Sequence, residues 1–380
     1  MFSFFSPQAI HFGRGQSAQT PDLAKTFGGN VLLVHGATVR RAKWLIDGCK
    51  QTGLTVRTLA CKTEPSLPDI EGALADLKGF SPDVVIALGG GAVIDFGKAL
   101  AALIPCSAPP QDYLEVVGTG RPLDHAPLPM IALPTTAGTG AEVTKNAVIS
   151  VPEQGIKVSL RDQRMIPDIA IVDAGLMQGA PRRVALAAGL DAITQVIEPY
   201  LSIKANPMTD ALCLSAIPTG LGAIRELVEN DAPAAWDDMA RVSTWGGLAL
   251  ANAGLGAVHG FAGVIGGRTN APHGEICGAL LPAVLASHMR KAEAGTELHR
   301  RLIWVLVQID LQFGDGTDGA GLAQLKAWSR KMGLRGLAEM GVIKADLDDI
   351  AQASAGASSM KGNPFALSQS ELVEILVDAR

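Results

Sequence analysis

The sequence predicts two architectures in succession: an α/β domain with a mostly parallel sheet over residues 1–180, then an all-helical domain over residues 181–380. Three observations carry this. Short apolar runs rich in β-branched residues alternate with segments of helical period through the first half. One such run leads straight into three consecutive glycines, Gly89-Gly90-Gly91, with a helical pattern behind them. After about Gly179 the strand-like runs stop, and Ala-, Leu- and Met-rich periodic stretches continue almost to Arg380.

The strands expected are Val31–Val34, Val84–Leu88, Met130–Leu133 and Ile169–Val172, and the helical segments between them include Arg40–Gly53 and Ile70–Phe80. Sheets of this kind bind ligands at the carboxyl ends of their strands. Pro181 reads as a helix-opening proline at the start of the second half.

Composition narrows the class. Apolar residues make up 48% of 380 residues and charged residues 18%, which is ample core material and excludes a disordered chain. The formal net charge of −5, with no basic block, argues against nucleic acid or an anionic membrane as partner. Cys49, Cys61, Cys106, Cys213 and Cys277 are an odd number without a CxxC pair, so neither a disulfide framework nor a thiolate zinc site is expected. The opening MFSFFSPQAIHFGRG lacks the features of a signal peptide, and no uninterrupted run of about 18 apolar residues is long enough to span a bilayer. A cytoplasmic protein is the expectation.

The chemistry concentrates in four places. Glycines between a strand and a helix let backbone approach a bulky anion, and the free N–H groups of the helix start then face its phosphates. Gly89–Gly91 suit this, although the spacing is neither GxGxxG nor a Walker loop and also fits a plain tight turn. Asp95 is placed in the first helical turn, with Lys98 beyond it toward the same mouth. The loop Pro134–Thr144 (PTTAGTGAEVT) offers small hydroxyls suited to phosphate or ribose, or equally to a cluster of side-chain-capped turns. Asp191 and Gln195 lie four apart on one helical face, and His259 and His273 follow in a stretch almost free of charge. These four residues can hold a metal, and a lone histidine in an apolar helix also reads as a core residue.

Four segments together, GGGAVIDFGK, PTTAGTGAEVT, GLDAITQVIEPYLS and GAVHGFAGVIGGRTNAPHG, resemble the iron-dependent (group III) alcohol dehydrogenase family of the dehydroquinate-synthase-like superfamily, in that family's order and spacing. The resemblance implies a Rossmann-like first domain and a helical second one that holds metal and substrate. It implies that Gly89, Gly90, Gly91 and Asp95 hold a dinucleotide, with Thr135, Thr136, Thr139 and Lys157 contributing. It places the metal, Fe(II) or Zn(II), on Asp191, Gln195, His259 and His273, and the catalytic role on Asp191, His259 and His273. Two positions depart from the pattern: the family's second metal histidine is Gln195 here, and a histidine four residues after the first C-terminal ligand is Gly263.

The function implied is NAD(P)-dependent interconversion of a small alcohol and its aldehyde or ketone, by a homo-oligomer expected to be a dimer. A metal-independent carbonyl reductase of maleylacetate-reductase type is the runner-up. A dehydroquinate-synthase-like lyase and a non-catalytic nucleotide-binding protein are more remote. Many NAD-using relatives carry Asp where Gly36 stands, after the first strand. Without that carboxylate nothing repels a 2′-phosphate, and Thr38, Arg40 or Arg41 can receive it, so NADP is slightly favoured over NAD.

Overall fold

The apolar runs become the buried strands of a six-stranded parallel sheet. The structure, a computed structural model, describes residues 1–269, 271–314 and 319–380. Its chain divides into two units: Ser6–Thr136 with Gly140–Gln178, and Met1–Phe5 with Ala137–Thr139 and Gly179–Arg380.

In the first unit the elements run β1 Ala9–Phe12, α1 Thr20–Lys25, β2 Asn30–His35, α2 Lys43–Gln51, β3 Thr55–Ala60, α3 Leu67–Asp76, β4 Val84–Gly89, α4 Gly91–Leu103 and β5 Met130–Pro134. There follow β6 Asn146–Val151, β7 Ile156–Arg161 and β8 Ile169–Val172. The sheet order is β1-β8-β5-β4-β2-β3, every neighbour parallel, while β6 and β7 form a separate antiparallel hairpin. The four strands expected from sequence are the four inner ones. Being covered on both faces, they read as continuous apolar runs. Their side chains alternate between two cores: Leu32, Val34, Val85 and Ala87 on one face, Val31, Leu33, Val84 and Ile86 on the other.

The chain leaves β2 for β3 on one side and returns to β4 on the other side of β2. That reversal opens a crevice at the carboxyl ends of β2 and β4, where doubly wound sheets receive ligands. Gly36 follows β2 there, and Gly89–Gly91 follow β4. Their nearness is fixed by register, since His35 pairs with Leu88.

The second unit is helical: α5 Arg182–Leu201, α6 Pro207–Asn230, α7 Pro233–Ala253, α8 Ala257–Thr269, α9 His273–Lys291, α10 Glu297–Phe313, α11 Gly321–Lys331, α12 Leu347–Ala355 and α13 Gln369–Ala379. Pro181 is the residue just before α5 rather than its first helical position. From Leu190 to Leu201 every residue of α5 is buried, and the helix packs against α6, α7 and α9, as a helix at the centre of a bundle must. By length and composition α6 is apolar enough to cross a membrane, but half of that stretch is buried against protein, as in a core helix.

Candidate functional site

Helix α5 carries Asp191, Gln195 and Glu198 at spacings of four and three, which sets all three on one buried face. His259 comes from α8, and α9 supplies His273 and, one turn later, Cys277. Gly274 permits this approach, because a Cβ there would run into the Ala187 carbonyl of α5. Asp191 Oδ1 lies 3.3 Å from His259 Nε2 and 3.7 Å from His273 Nε2. Cys277 Sγ lies 3.6 Å from His273 Nε2 and 3.9 Å from His259 Nε2. One donor atom from each of these four residues falls within 4.8 Å of every other.

Glu198 completes the arrangement. Its Oε2 is 2.7 Å from His259 Nδ1 and its Oε1 accepts from the Val258 N–H at 2.7 Å. With Nδ1–H held by a carboxylate, Nε2 is the ring nitrogen that faces Asp191 and Cys277, as in carboxylate–histidine–metal triads. Burial pushes the Asp191 carboxyl up, but the facing His273 and His259 rings outweigh it and hold it below its ordinary value. Burial alone would lower both histidines. Cys277 and Glu198 raise His259 well above its usual range instead, and Cys277 and Asp191 raise His273 to about 9.

These residues fit a divalent cation. Asp191 Oδ1 and Gln195 Oε1 are buried without an aligned hydrogen bond. A buried oxygen left so costs about 1–3 kcal/mol. Asp191 Oδ1 faces two imidazole nitrogens, the surroundings of a metal-ligating oxygen. Gln195 donates its Nε2 to the Gly138 carbonyl at 3.3 Å, so one end of its amide is already engaged. At Gly263 an added Cβ would meet nothing within 4 Å.

In the first unit the glycine turn has the form expected of an anion cradle. Gly90 precedes α4 with extended backbone (φ −73°, ψ −177°) and no side-chain cap, leaving the first N–H groups of the helix without a side-chain partner there. A Cβ at Gly90 would come within 3.3 Å of Thr136 Oγ1, and Thr135 N–H bonds the Gly89 carbonyl at 2.9 Å. These contacts hold the two loops side by side. Gly36 has open space at its Cβ position, and Thr38 is exposed before a 3-10 turn, Val39–Ala42, with its hydroxyl capping nothing.

Other expected positions sit differently. Because α4 starts at Gly91, Asp95 is in its second turn, not its first. Its carboxylate accepts from the Val148 N–H at 3.0 Å and lies 3.4 Å from Lys98 Nζ. Lys98 does not reach the mouth: it is 1% exposed and donates to Thr144 Oγ1 at 2.8 Å and the Asn146 carbonyl at 2.6 Å. Burial pushes Asp95 up and Lys98 down, and each pulls the other back. The pair ties α4 to the β6 hairpin. Lys157 pairs with Glu64, and Thr139, half-buried, belongs to the helical unit. Sequence reasoning missed Glu198 and Cys277. Both stand at helical spacing from expected ligands, three after Gln195 and four after His273, which is the signal that could have found them.

Known proteins share these features. Residues 7–174 match the family of iron-containing alcohol dehydrogenases, and residues 185–380 match the C-terminal family of Fe-containing alcohol dehydrogenases. The chain is 35% identical over 285 residues to long-chain-alcohol dehydrogenase 1 of Geobacillus thermodenitrificans, covering 73% of this chain and 71% of that one. It is 33% identical over 313 residues to lactaldehyde reductase of Escherichia coli K12, covering 82% and 80%. A solved alcohol dehydrogenase from Oenococcus oeni superposes with a TM-score of 0.88 at 26% identity, covering all of both chains. A parallel sheet with a glycine turn, a helical unit with a buried Asp-His-His-Cys cluster and matches over nearly the whole length lead to one conclusion: the chain belongs to the iron-containing alcohol dehydrogenase family and is an oxidoreductase of the alcohol dehydrogenase and aldehyde reductase class.

Proposed function

We propose that this protein interconverts a small alcohol and its aldehyde or ketone with NAD(P), residues 1–180 binding the dinucleotide and residues 181–380 binding metal and substrate. The observation that carries the proposal is the cluster of Asp191, His259 and His273, whose donor atoms face one another with Asp191 Oδ1 lacking an aligned hydrogen bond. It favours this reading over a metal-independent reductase.

When bound, a divalent metal supplies Lewis-acid polarisation of the substrate oxygen, and the nicotinamide supplies hydride exchange. The protein's part is to hold and orient. Asp191 brings negative charge, and His259 and His273 bring lone pairs. Glu198 fixes the His259 ring, and His273, with 38% of its side chain exposed, marks the side open to substrate. In the first unit, Gly89–Gly91 and the N–H groups of α4 cradle the diphosphate, with Thr135 and Thr136 alongside and Asp95 and Lys157 as further contributors. The open Gly36 position and the exposed Thr38, Arg40 and Arg41 favour NADP(H) at least as well as NAD(H).

The test is turnover with a panel of small aldehydes and both cofactors, using protein stripped of metal and then reloaded with Fe(II) or Zn(II). Activity should vanish and return. Full turnover by the stripped protein would overturn the metal-assisted reading, and no turnover of any aldehyde would overturn the enzymatic one.

A further inference from the structure

We propose that Cys277 is a direct ligand of the metal, completing an Asp191-His259-His273-Cys277 set of one oxygen, two nitrogens and one sulfur that selects a zinc-type ion. The inference rests on the metal-assisted reading above and specifies its fourth ligand and metal class.

Distance speaks first. For bonds of about 2.0 Å to nitrogen or oxygen and about 2.3 Å to sulfur, a tetrahedron separates N and O corners by ~3.3 Å and N and S corners by ~3.5 Å. The separations present are 3.3 and 3.7 Å between Asp191 Oδ1 and the two imidazoles, and 3.6 and 3.9 Å between Cys277 Sγ and the same nitrogens. These four edges are close to tetrahedral values, and the two remaining pairs of donors lie within 4.8 Å.

Charge speaks second. Asp191 is 2% exposed, His259 7% and Cys277 fully buried. A divalent cation in such a place is costly unless its charge is balanced nearby. A carboxylate and a thiolate in the ligand set put two negative charges directly on the cation, and Glu198 adds a third behind the His259 ring. With the amide of Gln195 in place of the thiolate, the second negative charge would come only from Glu198, through that ring. A thiolate with imidazoles also shifts preference from the harder ions toward zinc.

Cobalt(II) is the probe, because a thiolate bound to it gives an intense near-ultraviolet charge-transfer band that carboxylate and imidazole do not. The metal-free full-length protein is titrated with Co(II) as wild type, Cys277→Ser and Gln195→Ala. The band should appear in wild type, persist in Gln195→Ala and vanish in Cys277→Ser, which should bind Co(II) about tenfold or more weaker, in line with losing a strong ligand. Co(II) binding to wild type without the band, or a band that survives Cys277→Ser, would overturn the assignment while leaving the metal-assisted reading intact. No Co(II) binding to wild type would overturn both. Should Cys277→Ser fail to fold, X-ray absorption of zinc-loaded wild type decides: one sulfur near 2.3 Å supports the ligand, and a shell of nitrogen and oxygen alone overturns it.

Discussion

Glu198 Oε2 lies 2.7 Å from His259 Nδ1, and the other oxygen of the same carboxylate holds the Val258 N–H. One side chain therefore fixes both the ring of a histidine in the buried cluster and the backbone beside it. Glu198→Gln keeps the volume but cannot accept from both donors, since its amide nitrogen must face one of them. Losing this orientation should weaken metal binding by about 10–100-fold, measured by competition with a chelator. An unchanged affinity would show that the ring is held by packing alone.

Gly90 rather than Gly89 is the residue at which to probe the cradle. A Cβ at Gly89 would collide with Val93 and disturb the helix start, whereas one at Gly90 meets only Thr136 at 3.3 Å. Gly90→Val should leave circular dichroism and Tm close to wild type and weaken dinucleotide binding by about tenfold or more, ~1.4 kcal/mol. Wild-type affinity in that variant would remove the turn from the cofactor site.

The pH dependence of metal uptake follows from His273, raised from 6.5 to about 9 in the metal-free protein. A raised pKa means the folded metal-free state favours the proton. This contributes stability fully present below pH 6.5 and lost as pH rises through about 9. Metal binding must displace that proton. Affinity should therefore strengthen from pH 7 toward pH 9, and binding at neutral pH should release protons, detectable by calorimetry in buffers of different ionisation enthalpy. A pH-independent affinity across that range would contradict it.

Gly36 offers a cofactor switch. Open space at its Cβ position lets Gly36→Asp place a carboxylate beside the end of β2 without a clash. Wild type should use NADP(H) with kcat/KM at least equal to that for NAD(H), and the variant should lose most of its NADP(H) turnover and keep NAD(H). A strong NAD(H) preference in wild type, or no change in the variant, would show that the ribose lies elsewhere.

Lys98 is structural, and its removal tests that. Lys98→Met fills similar space but leaves the half-buried Asp95 carboxylate without its counter-ion and Thr144 without its donor. Breaking a buried pair from one side costs about 3–5 kcal/mol. Chemical denaturation should register a loss of that order, and a change below about 1 kcal/mol would mean that Asp95 is stabilised by Val148 alone.

What could be read from sequence followed the depth of burial. The inner strands β2, β4, β5 and β8 are covered on both faces and announced themselves as apolar runs. Edge strand β3, Thr55–Ala60, keeps alternating exposed positions, and β1 is four residues long, so neither stood out. The β6–β7 hairpin mixes charged and apolar residues at its solvent face and was equally silent. In the site, Asp191, His259 and His273 were legible because charge and imidazole are rare in an apolar stretch. Cys277 was not, since pairing rules look for one cysteine near another, and this thiol has two histidines and an aspartate for neighbours. The three hydroxyl and glycine loops could be located, but not the partners that Asp95 and Lys98 take from the hairpin.

Strand β1 has a consequence for how the chain is made. Among the described residues Ala9–Phe12 pair with Ile169–Val172 alone, so β1 must wait for about 160 further residues to be made before its partner exists. At roughly 5–20 residues per second that is on the order of 8–32 s, during which a short strand edge stays unpaired. Synthesis therefore closes this sheet last at the β1–β8 edge, and a ribosome-bound fragment ending before Ile169 should leave β1 open to proteolysis while the β2–β4 pairing is already in place.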